Sequence, residues 1–357
     1  MWFSIALSFI LSVSLIPVVI KICAHYKLFD PVTARKIHSG NIPRLGGVGI
    51  IIAFFVSAII YSLVLNCIPI IQILPLLIAG LLIFGFGFID DLFDMPAILK
   101  FFVQLTASCI VVFSGFRFQQ IFKWVLPLWV SIPLSVGWMI GIINAYNLID
   151  GLDGLCGGLS FLTILALGII FYTIADPSAA LCFIMTAAIL GFLIYNWPPA
   201  KIFMGDNGSQ FMGFMIAAVP LYYSTDNFEY NKFLIMLVLV AVPMMDTIAA
   251  IWRRLRDRRP IMSPDRAHLH HKLLNLGYTR KQSLYMLLLI QFMLCVAVYL
   301  AMYLSRSKGA ILLLVVYTFM MFFFSVIHFT NRAVLTMKHR RELGLEPEDG
   351  DSENQNT

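Results

Sequence analysis

Apolar residues run through this chain in blocks of about 20, separated by short polar breaks. Blocks of that length suit α-helices that cross the hydrocarbon layer. They predict about eleven membrane helices. These lie near 2–22, 46–66, 69–89, 97–115, 126–145, 158–175, 178–195, 208–225, 232–252, 284–304 and 309–330. The blocks are continuous and do not alternate, which excludes a transmembrane barrel. The expected fold class is an all-α polytopic membrane protein.

Composition supports that expectation. Hydrophobic residues make up 60% of the 357 and charged residues only 12%, where a soluble domain carries about 25%. Mean hydropathy is +0.87. The start of the chain lacks a basic leader and a small-residue cleavage site, so it reads as a first membrane helix. The six cysteines form no CxxC pair and mostly sit in apolar runs, as small hydrophobes do.

Charge sets the orientation. Of the 25 Lys and Arg, 20 fall in loops after the odd-numbered helices and 5 on the other side. The richer side is expected in the cytoplasm, with the N-terminus outside or periplasmic and the C-terminus inside. All the polar clusters then share the cytoplasmic face. Residues 1–331 are expected to form one transmembrane domain with active-site loops on that face. Residues 332–357 are expected to be a polar cytoplasmic tail, disordered after its acidic turn at Gly344.

Five polar stretches stand out. The central one runs from Asn144 to Gly158 (NAYNLIDGLDGLCGG). It holds Asn147, Asp150 and Asp153 among glycines that let a ligand approach closely. Asp90 and Asp91 close the third helix, where adjacent acids repel each other and oppose the helix dipole; a divalent cation would relieve both. Asp94 is either part of that site or a helix cap. In the stretch from Asn196 to Ser209, Asp206 and the N–H groups of Asn207 to Ser209 sit at a helix start that suits phosphate, or Asp206 is simply its N-cap. Phe203 either stacks on a planar base or faces lipid.

From Arg253 to His271 the chain carries many arginines, then Asp265, Arg266, His268, His270 and His271. Phosphate binding fits better than zinc, which lacks Cys or HExxH support here. The Arg35–Gly47 loop is either a phosphate loop or ordinary positive-inside charge. Asp246 is an acid inside an apolar run, and so a functional candidate. Carboxylates without thiolates suit Mg²⁺ or Mn²⁺. Together these stretches imply phosphoryl transfer at a membrane face. A secondary transporter is the alternative class; its polar groups would more often lie at the bilayer midplane.

Asp90-Asp91, the NLIDGLDG stretch from Asn147, the FMGDNGS stretch from Phe203 and the His268-Leu-His-His271 run occur in one order. The set resembles the polyprenyl-phosphate N-acetylhexosamine-1-phosphate transferase superfamily, glycosyltransferase family 4, over residues from about 20 to 330. Its closest likeness is to the bacterial undecaprenyl-phosphate N-acetylglucosamine-1-phosphate transferases that begin O-antigen, enterobacterial common antigen or teichoic-acid linkage synthesis. The resemblance implies that UDP-GlcNAc gives its sugar-1-phosphate to undecaprenyl phosphate, releasing UMP, with another UDP-N-acetylhexosamine as the alternative donor. It implies Mg²⁺ or Mn²⁺ on Asp206 with Asp91 nearby. Asp90 is then a base, a positioning group or a nucleophile. Asn147, Asp150, Asp153 and Phe203 would line the nucleotide pocket. Arg266, His268, His270 and His271 would contact phosphate or sugar. The implied location is the bacterial inner membrane, with no nucleic-acid partner. Such proteins often form homodimers, though no interface is legible in the sequence.

Overall fold

A computed structural model describes residues 1–29, 42–65, 68–222, 226–260 and 268–342. Arg266, most of the Arg35–Gly47 loop and the end of the tail lie outside these described residues.

Thirteen helices are described. They are α1 (Trp2–Tyr26), α2 (Gly46–Ile59, continued by a π-helical turn Ile60–Val64), α3 (Ile70–Phe93), α4 (Ala97–Phe113), α5 (Leu128–Ile149), α6 (Leu155–Thr173) and α7 (Ser178–Asn196). They continue with α8 (Gly205–Ala218), α9 (Asp226–Leu239), α10 (Ala241–Arg256), α11 (Leu269–Asn275), α12 (Arg280–Met302) and α13 (Arg306–Glu342). A two-stranded antiparallel hairpin, Gln120–Ile121 with Trp124–Val125, links α4 to α5.

The apolar blocks fall on helices, the one near 232–252 on two, α9 and α10. Among the described residues, 8 helices are long and apolar enough to cross a membrane, or 9 if the bent pair α9–α10 counts as one. α4, with 17 residues, and α8, with 14, are too short to be among them. α13 also continues to Glu342, into the stretch expected as a polar tail.

α8 is the hub. It packs against α2, α3, α5 and α6, and every residue from Asn207 to Ala218 is buried. Small residues permit this crowding. A Cβ on Gly47 of α2 would lie 2.4 Å from the Cα of Gly208, so the two backbones touch there.

Serines tie the outer helices inward. Ser4, Ser8 and Ser12 recur every fourth residue on the buried face of α1. Ser8 and Ser12 donate to the carbonyls of Ile184 and Ala188 on α7, at 2.8 and 2.7 Å. Such bonds are each worth about 0.6 kcal/mol in a membrane.

The 66° bend between α9 and α10 has a chemical cause. Pro243 has no N–H to give to the carbonyl of Leu239, four residues back. That oxygen instead accepts from Gln291 Nε2 on α12 at 2.8 Å and from Thr163 Oγ1 on α6 at 3.4 Å. The break is thereby sealed by side chains, and α10 is aimed so that Asp246 meets α11.

Candidate active site

The site begins where α3 ends. Asp90 and Asp91 are both buried in its last turn. Asp91 reaches across to the start of α8. Its Oδ1 accepts the N–H of Asp206 at 2.9 Å and its Oδ2 that of Asn207 at 3.0 Å. The Asn207 side-chain amide also donates to Oδ2.

Asp91 is therefore the cap of α8, supplied from another helix. Asp206 lies in the first turn, and α8 has no side-chain cap from its own N-cap position. This corrects two expectations. Asp206 is not the N-cap, and one of the N–H groups considered for phosphate, that of Asn207, already holds a carboxylate. Asp91, with both oxygens engaged by α8, faces a competing use for any metal-ligating role.

Asp90 and Asp206 meet at a cation. Lys100, in the first turn of α4, places its Nζ 2.8 Å from Asp206 Oδ2 and against Asp90 Oδ2. The other Asp90 oxygen accepts the N–H of Met95 at 2.8 Å. A lysine at a helix N-terminus opposes the dipole, so the two carboxylates must hold it there. Arg44 completes the group. Its guanidinium donates to the main-chain oxygen of Asp91 and lies 3.6 Å from Asp94 Oδ1. Asp94 itself closes α3 in the left-handed conformation at φ 46° and does not cap α4.

Backbone pairing brings the loops together. Gly46 and Gly47 donate to the carbonyls of Phe203 and Met204 at 2.9 and 2.8 Å, and Phe203 donates to Pro43 at 2.7 Å. Gly205 turns the chain into α8 at φ +78°, and a Cβ there would lie 2.0 Å from the Arg44 oxygen. Phe203 itself is half-buried.

The central stretch approaches from α5 and α6. Asn147 Oδ1 accepts from Ser209 Oγ at 2.8 Å, three residues beyond Asp206. Asn144 donates to Gln104 at 2.7 Å, and Gln104 in turn donates to Gln210 at 3.2 Å. Asp150 ends α5 and is half-buried. Asp153 accepts the N–H of Ala200 at 3.1 Å, and Asn196 accepts that of Gly154 at 3.0 Å. The Asn196–Ser209 stretch is thus clamped onto the central one.

The histidines close the far side. His268 Nδ1 lies 3.0 Å from Asp246 Oδ2, while Asp246 Oδ1 accepts the N–H of Leu269 at 2.9 Å. The His270 ring lies on Gly151, where a Cβ would come within 2.7 Å of its Cε1. Burial, and next the His271 charge, lower its pKa to about 3. Its Nδ1 is buried with no hydrogen-bond partner among the described residues. His271 packs 4.3 Å from it, ring to ring. Of the three, His270 meets the central stretch, and they do not form a shared metal centre among the described residues.

The acid cluster does fit a divalent cation. Its donors are all oxygen, and four carboxylates against Lys100 and Arg44 leave net negative charge. Asn207 Oδ1 is buried beside them without a partner among the described residues. No three acids close round one point among those residues.

In the sequence Lys100 is one positive-inside charge among twenty, and Gln104 carries no distinguishing signal. The available signal was a lone cation at the edge of an apolar block, ten residues after Asp90.

Residues 73–224 match the family model described as glycosyl transferase family 4. The chain is 31% identical over 290 residues to the probable undecaprenyl-phosphate N-acetylglucosaminyl 1-phosphate transferase of Bacillus subtilis (strain 168), covering 79% of each chain. It is 34% identical over 283 residues to the decaprenyl-phosphate N-acetylglucosaminephosphotransferase of Mycobacterium tuberculosis (strain ATCC 25618 / H37Rv), covering 70% of this chain and 69% of that protein. It is 31% identical over 281 residues to the undecaprenyl-phosphate alpha-N-acetylglucosaminyl 1-phosphate transferase of Escherichia coli (strain K12), covering 74% and 73%.

Proposed function

The chain belongs to glycosyl transferase family 4, a family whose matched members are phosphotransferases, and from that premise we propose that it moves GlcNAc-1-phosphate from UDP-GlcNAc to undecaprenyl phosphate. The products are undecaprenyl-pyrophosphate-GlcNAc and UMP. This would be the first membrane step of a cell-envelope polysaccharide, at the cytoplasmic face of the inner membrane. Family membership sets the transporter alternative aside. The observation that carries the reading is the meeting of Asp90 and Asp206 on Lys100, beside Arg44.

Two anionic reactants repel, so catalysis needs cations and fixed geometry. An oxygen of the lipid phosphate attacks the donor phosphorus that carries the sugar. The bond from that phosphorus to the UMP oxygen breaks, and the anomeric bond is untouched. Lys100 and Arg44 screen the phosphate charges. Asp90 orients the acceptor phosphate, and takes its proton where one remains. Asp206, with Asp90, is the proposed seat of Mg²⁺ or Mn²⁺. The bound metal would neutralise charge on the donor pyrophosphate. Asp91 holds Asp206 in place through the main chain of α8.

Asn147, Asp150, Asp153 and Phe203 form the proposed nucleotide side. His268, His270 and His271, with Arg266, form the proposed phosphate and sugar side. Burial makes His268 and His270 positioning residues and leaves the half-buried His271 to touch substrate.

The test mixes membranes holding the protein with labelled UDP-GlcNAc, undecaprenyl phosphate and Mg²⁺. Label should enter the lipid phase as UMP forms, and Asp206→Ala should stop both. Absence of lipid-linked label would overturn the proposal. Preferential use of another UDP-N-acetylhexosamine in competition would replace the sugar and keep the reaction.

A further inference from the structure

A second polar cavity lies away from the acid cluster, between α10, α11 and α13. It is an open depression of about 720 Å³ lined by Arg256, Lys272, His328, Asn331, Arg332 and Thr336, together with Leu335. None of its lining residues is a carboxylate. The closest acid along the chain, Asp257, pairs with Arg256 at the exposed rim at 3.0 Å.

Positive-inside charge alone would leave cations scattered and solvated. Here Lys272, only 2% exposed, is buried beneath two exposed arginines from neighbouring helices, Arg256 and Arg332. Asn275 Nδ2 of α11 donates to Asn331 Oδ1 of α13 at 3.2 Å and holds the walls together. The volume is that of a small-ligand site.

We propose that this cavity binds the phosphate of an anionic phospholipid headgroup. Charge complementarity selects a phosphate, and the position selects a lipid source. On α13, Leu314, Met321, His328 and Leu335 recur every seventh residue and so share one face. Leu314 and Met321 are exposed, at 47% and 55%. That face runs along α13 to the cavity, where Leu335 and His328 line it, and its exposed apolar residues suit an acyl chain. Basic pockets between membrane helices commonly take such headgroups. Lys272 follows His271 directly, so a bound headgroup would also steady α11, which carries His270 and His271.

The test follows the melting temperature of the full chain, purified in neutral detergent, during titration with one of three probes. These are dioctanoyl phosphatidylglycerol, dioctanoyl phosphatidylcholine and inorganic phosphate. Phosphatidylglycerol should stabilise the protein saturably, and phosphatidylcholine should not. The Arg256→Gln/Arg332→Gln variant should need about tenfold more lipid for the half-effect, since each basic residue contributes to headgroup affinity. Arg256→Lys/Arg332→Lys should restore most of the binding, which separates lost charge from lost folding. Lys281→Gln, which removes one positive charge outside the cavity, should leave the titration unchanged. Equal responses to the two lipids would overturn the proposal. So would an equal loss with Lys281→Gln. Inorganic phosphate acting at the same concentration as the lipid would overturn the lipid as the source.

Discussion

The Asp91 carboxylate holds the main-chain N–H of Asn207 at 3.0 Å, joining the end of α3 to the start of α8 across 116 residues of sequence. An acid that looked like a metal ligand beside Asp90 thus also fixes the helix that presents Asp206. Substitution by Asn should separate structure from charge. Asp91→Asn keeps one acceptor but aims an NH₂ at an N–H donor. It should lower stability by about 1.5–3 kcal/mol, the range for hydrogen bonds to charged groups. Turnover should fall with it. Thermal melts and initial rates read both; an Asp91→Asn protein with wild-type melting would remove the capping role.

Lys100→Met should leave Asp90 and Asp206 facing each other without their cation. Turnover should drop by about 100-fold or more, the scale for losing one preorganised charge in a transition state. If the pair seats the metal, Mg²⁺ should then stabilise the variant at lower concentrations than wild type. Melting curves against Mg²⁺ check this without reference to activity. Unchanged Mg²⁺ dependence would count against that seat.

Gly205→Ala and Gly141→Ala form a matched pair. The first adds a methyl at φ +78° against the Arg44 oxygen, where left-handed strain alone costs about 1–2 kcal/mol. It should disrupt the start of α8 and abolish turnover. The second meets nothing within 4 Å and should behave as wild type. Expression, melting and rate measured side by side give the contrast.

Acid should weaken the fold through His270. Its folded pKa of about 3 lies below the ordinary 6.5, so the unfolded chain binds the extra proton between those values. The stability that neutral His270 contributes is fully present above pH 6.5 and is lost as pH falls from there towards 3. At pH 5 the loss relative to neutral pH is about 2 kcal/mol. His270→Gln should flatten that part of the pH–melting profile. An unchanged slope would show that His270 charges without cost.

Gln291→Leu should expose the bend in α9–α10. It removes the 2.8 Å bond to the Leu239 carbonyl and leaves only the longer one from Thr163. A loss of about 1–3 kcal/mol is expected for an unsatisfied buried acceptor. Thermal melting reads it, and Thr163→Val should cost less.

The helices were legible because the bilayer demands continuous apolar runs, and a single chain displays them openly. The candidate polar stretches were legible too, since Asp90, Asp153 and Asp206 interrupt those runs at a cost that needs a reason. The residue types also indicated oxygen ligation and phosphate chemistry. What the sequence could not supply was pairing. Asp91 and Asp206 are both acids near helix ends, and only the crossing of α3 over α8 decides which caps and which faces the site. Lys100 looked like loop charge until α4 brought it between two carboxylates. The bend at Val240 was hidden because its cause, Pro243, and its remedy, Gln291, lie on different helices. Local hydropathy is written along the chain, whereas a carboxylate's role is set by the groups that reach it from elsewhere in the fold.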